Sequence, residues 1–412
     1  MESVHKEYLD EAEQRISGAK NSMLAMAAPL ESSGSSSQSK PKPQAPPEPK
    51  KNDARSSNQK YGLLNALLSL GAIKPAIALL TKFPWMVDAF PEVADLIIRI
   101  LLVSISPLYQ TLPPSKDRST SFTQPRARYG ASTPQQRKSV LTLWAPTPPA
   151  TSSTDFVFFF PGWSDRVPIC TTLADLENVF EPLLRFIHLH ISRDTLLLTK
   201  FLRAGRHHLD IVNKKSPEVD LETPVAQFWY KVLRLYLLPA LPLISGNAIC
   251  TVEIWTIIRA FEITARWRLY GEWKNATYIS HPDLRVRLVQ ADRESKGILR
   301  RLSLNTIDSL SGPVGKLAHS NPCIFFTNAV NQIMAYDNLA DVVIQSLRYV
   351  TNMGFDVLVF VILDAFANPN KARVKDDGVN SSDWLQSKLF DLHFLSLFLI
   401  VFRSRLLHGS AV

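Results

Sequence analysis

Residues 223–238 read TPVAQFWYKVLRLYLL, and this stretch decides the fold class. Its apolar side chains recur at i, i+3, i+4 and i+7, which is the spacing of one face of an α-helix and not the alternation of a β-strand. Three nearby stretches repeat the spacing: LADLENVFEPLLRFIHLHI at 173–191, DTLLLTKFLRAG at 194–205 and VEIWTIIRAFEI at 252–263. The pattern predicts a run of amphipathic helices, and further helices are predicted at about 282–303, 305–318, 322–336, 338–350 and 353–367.

Helix ends are marked by capping residues. Asp194 stands where an N-cap belongs, and Gly205 is typical of a helix stop. Gly71 predicts the end of an earlier helix whose leucines include Leu63, Leu64 and Leu67. A further helix is predicted from Pro91, in a first-turn position, to Tyr109. Its predicted buried stripe consists of Val93, Leu96, Ile97, Ile100, Leu101 and Ile105.

Two stretches of low complexity interrupt the helices. Residues 31–57 combine a serine cluster with PKPQAPPEPKK, and residues 112–153 contain seven Pro and thirteen Ser or Thr. Neither stretch can bury enough apolar surface to fold alone, so a disordered linker and a disordered Pro/Ser-rich insertion are predicted. DFVFFFPGW at 155–163 is the one passage that could form a strand. The predicted fold is therefore all-α, a solenoid-like stack of helices.

The composition bounds the function. The chain has 412 residues and 46% hydrophobic residues, which suits a folded protein. Its net charge of +9 suits a partner such as RNA, an acidic protein or a membrane surface, and is equally common in ordinary soluble proteins. Its three cysteines are far apart and odd in number, which favours a reducing compartment and excludes a disulfide framework. The apolar run 392–402 is too short to cross a membrane, which needs about 20 residues.

Motifs for catalysis are absent from the sequence. There is no G-x-x-x-x-G-K-[ST] or G-x-G-x-x-G loop to bind phosphates, and H-E-x-x-H and G-x-S-x-G are missing as well. We therefore expect a non-enzymatic protein with no catalytic residue, cofactor, metal site or small-molecule substrate.

Basic residues form the one candidate contact site. Arg293, Lys296 and Arg300 fall at i, i+3 and i+7 of a predicted helix, and Arg301 flanks them. Such a stripe can bind RNA phosphates or an acidic partner. A solvated helix face is the favoured interpretation, because Asp292 is placed to pair with Lys296 at i+4. Both interpretations remain open.

Aromatic residues and histidines are the other residue types that can form a contact site. Trp267, Tyr270 and Trp273 are spaced by three, and we favour helix packing over base stacking for them. His207 and His208 follow Gly205, where contact with exposed carbonyl groups or RNA is one interpretation and a surface loop is the favoured one.

Two other histidine positions favour structural roles. His188 and His190 are two residues apart on a predicted helix, which points them about 200° apart and excludes a shared metal ion. His319 is predicted at a helix C-terminus, where positive charge is favourable.

Long strings in the sequence resemble one known family. They are NQKYGLLNALLSLGA at 58–72, EPLLRFIHLHISRDTLLLTK at 181–200, FWYKVLRLYLLPALPLIS at 228–245, WRLYGEWK at 267–274, GKLAHSNP at 315–322, YDNLADVVIQSLRYVTNMGFDVL at 336–358 and ANPNKARVKDDGVNSSDWLQS at 367–387. In this order they resemble the N-terminal portion of the THO complex subunit 2 family, the large scaffold subunit of the THO/TREX mRNA-export complex.

The resemblance implies a nuclear, non-catalytic scaffold that acts in transcription-coupled mRNA processing, packaging and export. The implied partners are the other THO subunits, the DEAD-box RNA helicase of TREX, and mRNA, the last of these indirectly. The family's protein is longer and carries a basic tail implicated in RNA binding. We therefore expect this chain to be a fragment or a truncated gene model. The alternative is a direct RNA-binding module that uses the basic segments 185–215 and 266–303.

The predicted organisation has five parts. They are a short helix plus linker at 1–57, an N-terminal helical segment at 58–111, the insertion at 112–153, the helical solenoid at 154–387, and an apolar tail at 388–412 that does not resemble the family.

Overall fold

A computed structural model describes residues 2–27, 58–112, 162–212, 221–244, 248–334, 336 and 339–367. These residues form fifteen α-helices of four or more residues and no strand, which confirms the all-α prediction. The helices are α1 (Glu2–Ala27), α2 (Gln59–Ser69), α3 (Ile73–Lys82), α4 (Met86–Ala89), α5 (Pro91–Thr111), α6 (Asp175–Ile187), α7 (Thr195–Val212), α8 (Pro224–Val232), α9 (Ala248–Ile258), α10 (Ile263–Glu272), α11 (Pro282–Arg301), α12 (Ile307–Ser320), α13 (Pro322–Ile333), α14 (Ala340–Ser346) and α15 (Asn352–Ala367). The linker predicted at 31–57, residues 155–161 of the strand candidate at 155–163, the tail, and the insertion beyond residue 112 lie outside the described residues.

Helices that follow one another along the chain pack side by side. The helix α5 contacts α2, α6 and α7, while α7 continues the stack to α8 and α9. Further along, α9 contacts α12 and α15, and α13 contacts α11, α12 and α15. Contacts mainly between near neighbours are the mark of a solenoid, so the predicted stack is confirmed. Two helices depart from this order: α1 lies against α11 and the short helix α4, and α15 contacts α9 and α10.

The predicted helix boundaries are confirmed at several points. Asp194 caps α7, since its carboxylate accepts from the backbone N–H of Leu196 at 2.7 Å and of Leu197 at 3.0 Å. Gly71 follows α2 with φ +72°, a left-handed conformation that glycine adopts without steric cost. All six residues of the stripe predicted on α5 are buried.

The prediction that Gly205 ends its helix is wrong, because α7 continues to Val212. A Cβ atom at Gly205 would lie 2.6 Å from the indole ring of Trp229 on α8. Phe201, one turn earlier, stacks on Phe180 of α6 with ring centroids 4.7 Å apart. Glycine is therefore required here for space between packed helices and not for its backbone freedom.

Two segments predicted as continuous helices are broken. The first ends at Ile187, because His188 has φ 47° and a 3₁₀ turn follows over His188–Arg193. The second ends at Ile258, and α10 begins at Ile263. In the second break Phe261 is buried with its ring edge against Tyr230, so an apolar contact replaces the next helical turn.

Candidate interaction surfaces

The predicted basic stripe lies on α11. The ammonium group of Lys296 is 2.8 Å from the carboxylate of Asp292, so the predicted i, i+4 pair is confirmed. Arg301 donates from Nε to the carbonyl oxygen of Gly297 at 2.9 Å, and Arg300 is exposed. Arg293 is half-buried on the same helix. The structure thus places the four basic residues on one helix, and phosphate or partner contacts by them stay a prediction.

The aromatic run is largely internal. Tyr270 and Trp273 are at most 1% exposed, and the half-buried Trp267 packs against the same core. Trp273 stacks on Tyr278 with ring planes 10° apart. Packing is therefore confirmed, and the two buried rings present no face on which a base could stack.

The hydroxyl of Tyr270 joins two helices. It donates to Asp356 on α15 at 2.9 Å, and Arg266 lies 3.6 Å from the same carboxylate. Burial raises the pKa of Asp356, while Arg266 and the hydrogen bond from Tyr270 act in the opposite direction. The network stabilises the contact between α10 and α15 by satisfying a partly buried carboxylate.

The histidine predictions have mixed outcomes. His319 lies in the last turn of α12, as predicted, with its Nε2 2.9 Å from the carbonyl oxygen of Tyr349. The prediction of a loop for His207 and His208 is wrong, since both lie within α7. The Nε1–H of Trp229 donates to Nδ1 of His208 at 3.4 Å, so His208 takes part in helix packing.

A polar cluster centred on Asp88 joins α4, α11 and the 3₁₀ turn before α7. Its carboxylate lies 2.8 Å from Nε2 of His190 and 3.4 Å from Nε2 of His281. Nδ1 of His281 accepts from the backbone N–H of Asp283 at 3.2 Å, and Nε2 is the ring nitrogen that lies near Asp88. Burial opposes ionisation of Asp88, but the contacts with the two histidines outweigh it and hold its pKa well below the usual range.

His188 also borders this cluster, with its ring edge against Tyr236. Burial, reinforced by the nearby His281, lowers the pKa of His188. Among the described residues, no three His, Cys, Asp or Glu side chains are grouped as ligands for a metal ion.

The helix α1 covers the same junction. Tyr8 of α1 lies near Asp88 and Asp283, and burial together with these carboxylates raises its pKa. Arg15 pairs with Asp283 at 3.0 Å, and His5 stacks on Trp85 with centroids 4.9 Å apart. The sequence alone does not reveal this junction. Asp88, His190 and His281 follow one another at intervals of about a hundred positions in the chain, and no local pattern marks them.

None of the described helices is both long and apolar enough to cross a membrane. A small cavity among α13, α14 and α15 has a volume of about 10 Å³ and is lined by apolar side chains such as Phe326, Val343 and Leu358. Ligand pockets typically measure about 300–1,000 Å³, so this cavity has no room for a substrate.

Comparisons with known proteins agree with one another. A sequence model of the family "THO complex subunit 2 N-terminus" matches residues 1–311, and one described as "Transcription- and export-related complex subunit" matches residues 314–387. The chain is 32% identical to THO complex subunit 2 of Homo sapiens over 80% of its own length. It is 33% identical to the Arabidopsis thaliana protein of that name over 52% of its length, and 27% identical to the Saccharomyces cerevisiae protein over 77%.

The chain spans only a small part of these relatives, since the match covers 19% of the human protein, 12% of the plant protein and 20% of the yeast protein. The first family match alone covers more than half of this chain. On this evidence the chain belongs to the THO complex subunit 2 N-terminus family.

Proposed function

We propose that the chain is the N-terminal scaffold portion of a THO complex subunit, that it binds other THO subunits, and that it has no catalytic activity of its own. The observation that carries this proposal is the pair of family matches, which together reach from residue 1 to residue 387.

The polar chemistry of the described residues supports a scaffold. Polar groups bridge neighbouring helices: Arg203 of α7 pairs with Glu253 of α9 at 3.0 Å, and the hydroxyl of Tyr270 donates to Asp356. Reactive groups that serve catalysis converge on a cleft, whereas these groups are engaged in holding helices together.

We assign the chain to a process in the nucleus, the assembly and export of mRNA. Through its complex, the chain acts in the packaging of nascent mRNA with protein, in mRNA processing and in mRNA export. The DEAD-box helicase and mRNA are proposed as further partners of the complex, with the contact between mRNA and this chain indirect.

Co-purification tests the proposal. The tagged chain is co-expressed with the remaining THO subunits and separated by size-exclusion chromatography, with α-helix content checked by circular dichroism. We expect the chain to co-elute with at least one subunit. A folded chain that elutes alone at every salt concentration would contradict the proposal.

A further inference from the structure

The helix α2 is apolar on two faces. Leu64 and Leu68 point inward and are fully buried. On the outer face Leu63 is 54% and Leu70 is 38% exposed, with Leu67 half-buried between them. A helix at the surface of a monomer normally has a polar outer face, so this stripe lacks a cover among the described residues. From Leu63 to Leu70 it covers eight residues, a length of about 10 Å at 1.5 Å per residue.

Gly62 widens the same face. It lies within α2, where glycine lowers helix stability relative to alanine. A Cβ atom at Gly62 would meet no other atom within 4 Å, so packing inside the described protein does not require a glycine. Together with the exposed Ala66 one turn later, it leaves a smooth strip beside Leu63 that another backbone can approach closely.

The charged residues around the stripe are mostly positive. Residues 58–87 contain three lysines and no Asp or Glu. Lys60 and Lys74 are exposed at the first turns of α2 and α3, and Arg166 approaches the far end of α2, its Cβ being 3.5 Å from where a Cβ of Gly71 would stand. Asp165, on the same turn as Arg166, is the acidic exception. An occupant with acidic flanks is therefore electrostatically complementary.

We propose that the outer face of α2 docks an amphipathic helix from another THO subunit, with apolar residues against Leu63, Leu67 and Leu70 and acidic residues toward Lys60 and Lys74. The stripe of leucines lies beside a strip of small residues and is about as long as a contact between two packed helices. This shape fits a partner helix that packs along α2. The identity of the partner rests on the proposed function, while the surface and its chemistry rest on the contacts above.

Site-specific crosslinking tests the proposal. The full chain carries the photocrosslinker p-benzoylphenylalanine at position 63 and is co-expressed with the other THO subunits. After irradiation, crosslinked peptides are identified by mass spectrometry. We expect the crosslink on one THO subunit, within a helical segment rich in Asp or Glu.

Substitutions measure the energetic weight of the surface. The double variant Leu63→Glu, Leu70→Glu should bind the THO subunits about tenfold more weakly or worse, as expected when central apolar contacts are lost. The matched control is Leu196→Glu, Val252→Glu, at positions 56% and 48% exposed on α7 and α9. The double variant Lys60→Glu, Lys74→Glu should weaken binding less than the leucine variant does. Its effect on affinity should be larger at low salt than at high salt.

The outcomes are distinguishable. If the wild-type chain binds no THO subunit, the proposed function fails and the docking proposal fails with it. If the chain binds but position 63 crosslinks to a second copy, to its own chain, to a basic segment or to nothing, the docking proposal alone is overturned. It is also overturned if the α2 variant, with unchanged helix content and melting temperature, binds as tightly as the control.

Discussion

Two regions of the molecule are held together by opposite kinds of interaction. Apolar packing joins α7 to α8, whereas polar contacts join α1, α4 and α11. In the first, Trp229 fills the space that Gly205 leaves, and Phe201 packs beside it with ring centroids 4.9 Å apart. In the second, a single carboxylate, Asp88, lies within 3.4 Å of a nitrogen on each of two histidines.

The difference explains why one region is visible in the sequence and the other is not. Apolar packing between consecutive helices imposes a period of about 3.6 residues on each helix, and that period can be read directly. A polar junction imposes no period. It depends on one residue from each of several distant segments, so only the assembled structure reveals it.

The strongest test of the apolar region is Trp229→Ala. This side chain is fully buried, and we expect the free energy of unfolding to fall by about 3–5 kcal/mol, as for other buried tryptophans. Urea denaturation followed by circular dichroism measures it. Trp267→Ala is the control, because that ring is half-buried and should cost clearly less. Equal costs would contradict the placement of Trp229.

The corresponding test of the polar junction is Asp88→Asn. The amide keeps the shape but removes the charge that His190 and His281 approach, and we expect a loss of about 1.5–3 kcal/mol, the range for hydrogen bonds to charged groups. Asp95→Asn, which affects an exposed pair with Arg193, should cost about 0–1 kcal/mol. Amide hydrogen exchange should also quicken in α1 and at the start of α11. If only the melting temperature changes and α1 stays protected, the junction does not hold α1.

Two glycines within helices should respond to alanine with opposite signs. Gly205→Ala places a methyl group against Trp229 and should destabilise by about 1–3 kcal/mol through overpacking. Gly297→Ala on α11 meets no atom within 4 Å and should stabilise by about 0.5–1 kcal/mol through helix propensity. Thermal unfolding of the two variants checks the pair. A stabilising Gly205→Ala would show that the close approach of α7 and α8 is wrong.

We expect the stability of the fold to depend on pH because two partly buried histidines have lowered pKa values. The pKa of His188 is lowered by burial from its ordinary 6.5, and that of His208 is lowered by the same cause. The unfolded chain therefore binds more protons than the folded one near this pH, so stability is lost as pH falls through 6.5. Asp88, whose pKa is also lowered, adds a further loss below about pH 4. His188→Gln with His208→Gln should flatten the loss near 6.5, as urea midpoints from pH 5 to 8 will show.

The sequence alone was sufficient for the helical class, the cap at Asp194, the stop at Gly71 and the buried stripe of α5, because local chemistry determines each of these. It was insufficient at Gly205, where the decisive neighbour is 24 positions away at Trp229. The same holds for His188, whose positive φ breaks a helix that the periodicity continues. At the candidate site, the pair of Asp292 and Lys296 followed from i, i+4 spacing, whereas the cluster around Asp88 did not follow from any spacing.

The substitution with the smallest expected effect on stability tests whether the basic stripe of α11 faces solvent or binds RNA. Lys296→Gln removes an exposed i, i+4 pair with Asp292 and should cost only about 0.2–0.5 kcal/mol in stability. If the stripe is a solvated face, the affinity of the chain for single-stranded RNA should be unchanged by Lys296→Gln or by Arg300→Gln at two salt concentrations. If the stripe contacts phosphates, each substitution should weaken binding and reduce the slope of log affinity against log salt by about 0.7. Tight binding with a steep salt dependence, weakened by these substitutions, would show that α11 contacts RNA, because so small a change in stability cannot account for the loss of affinity.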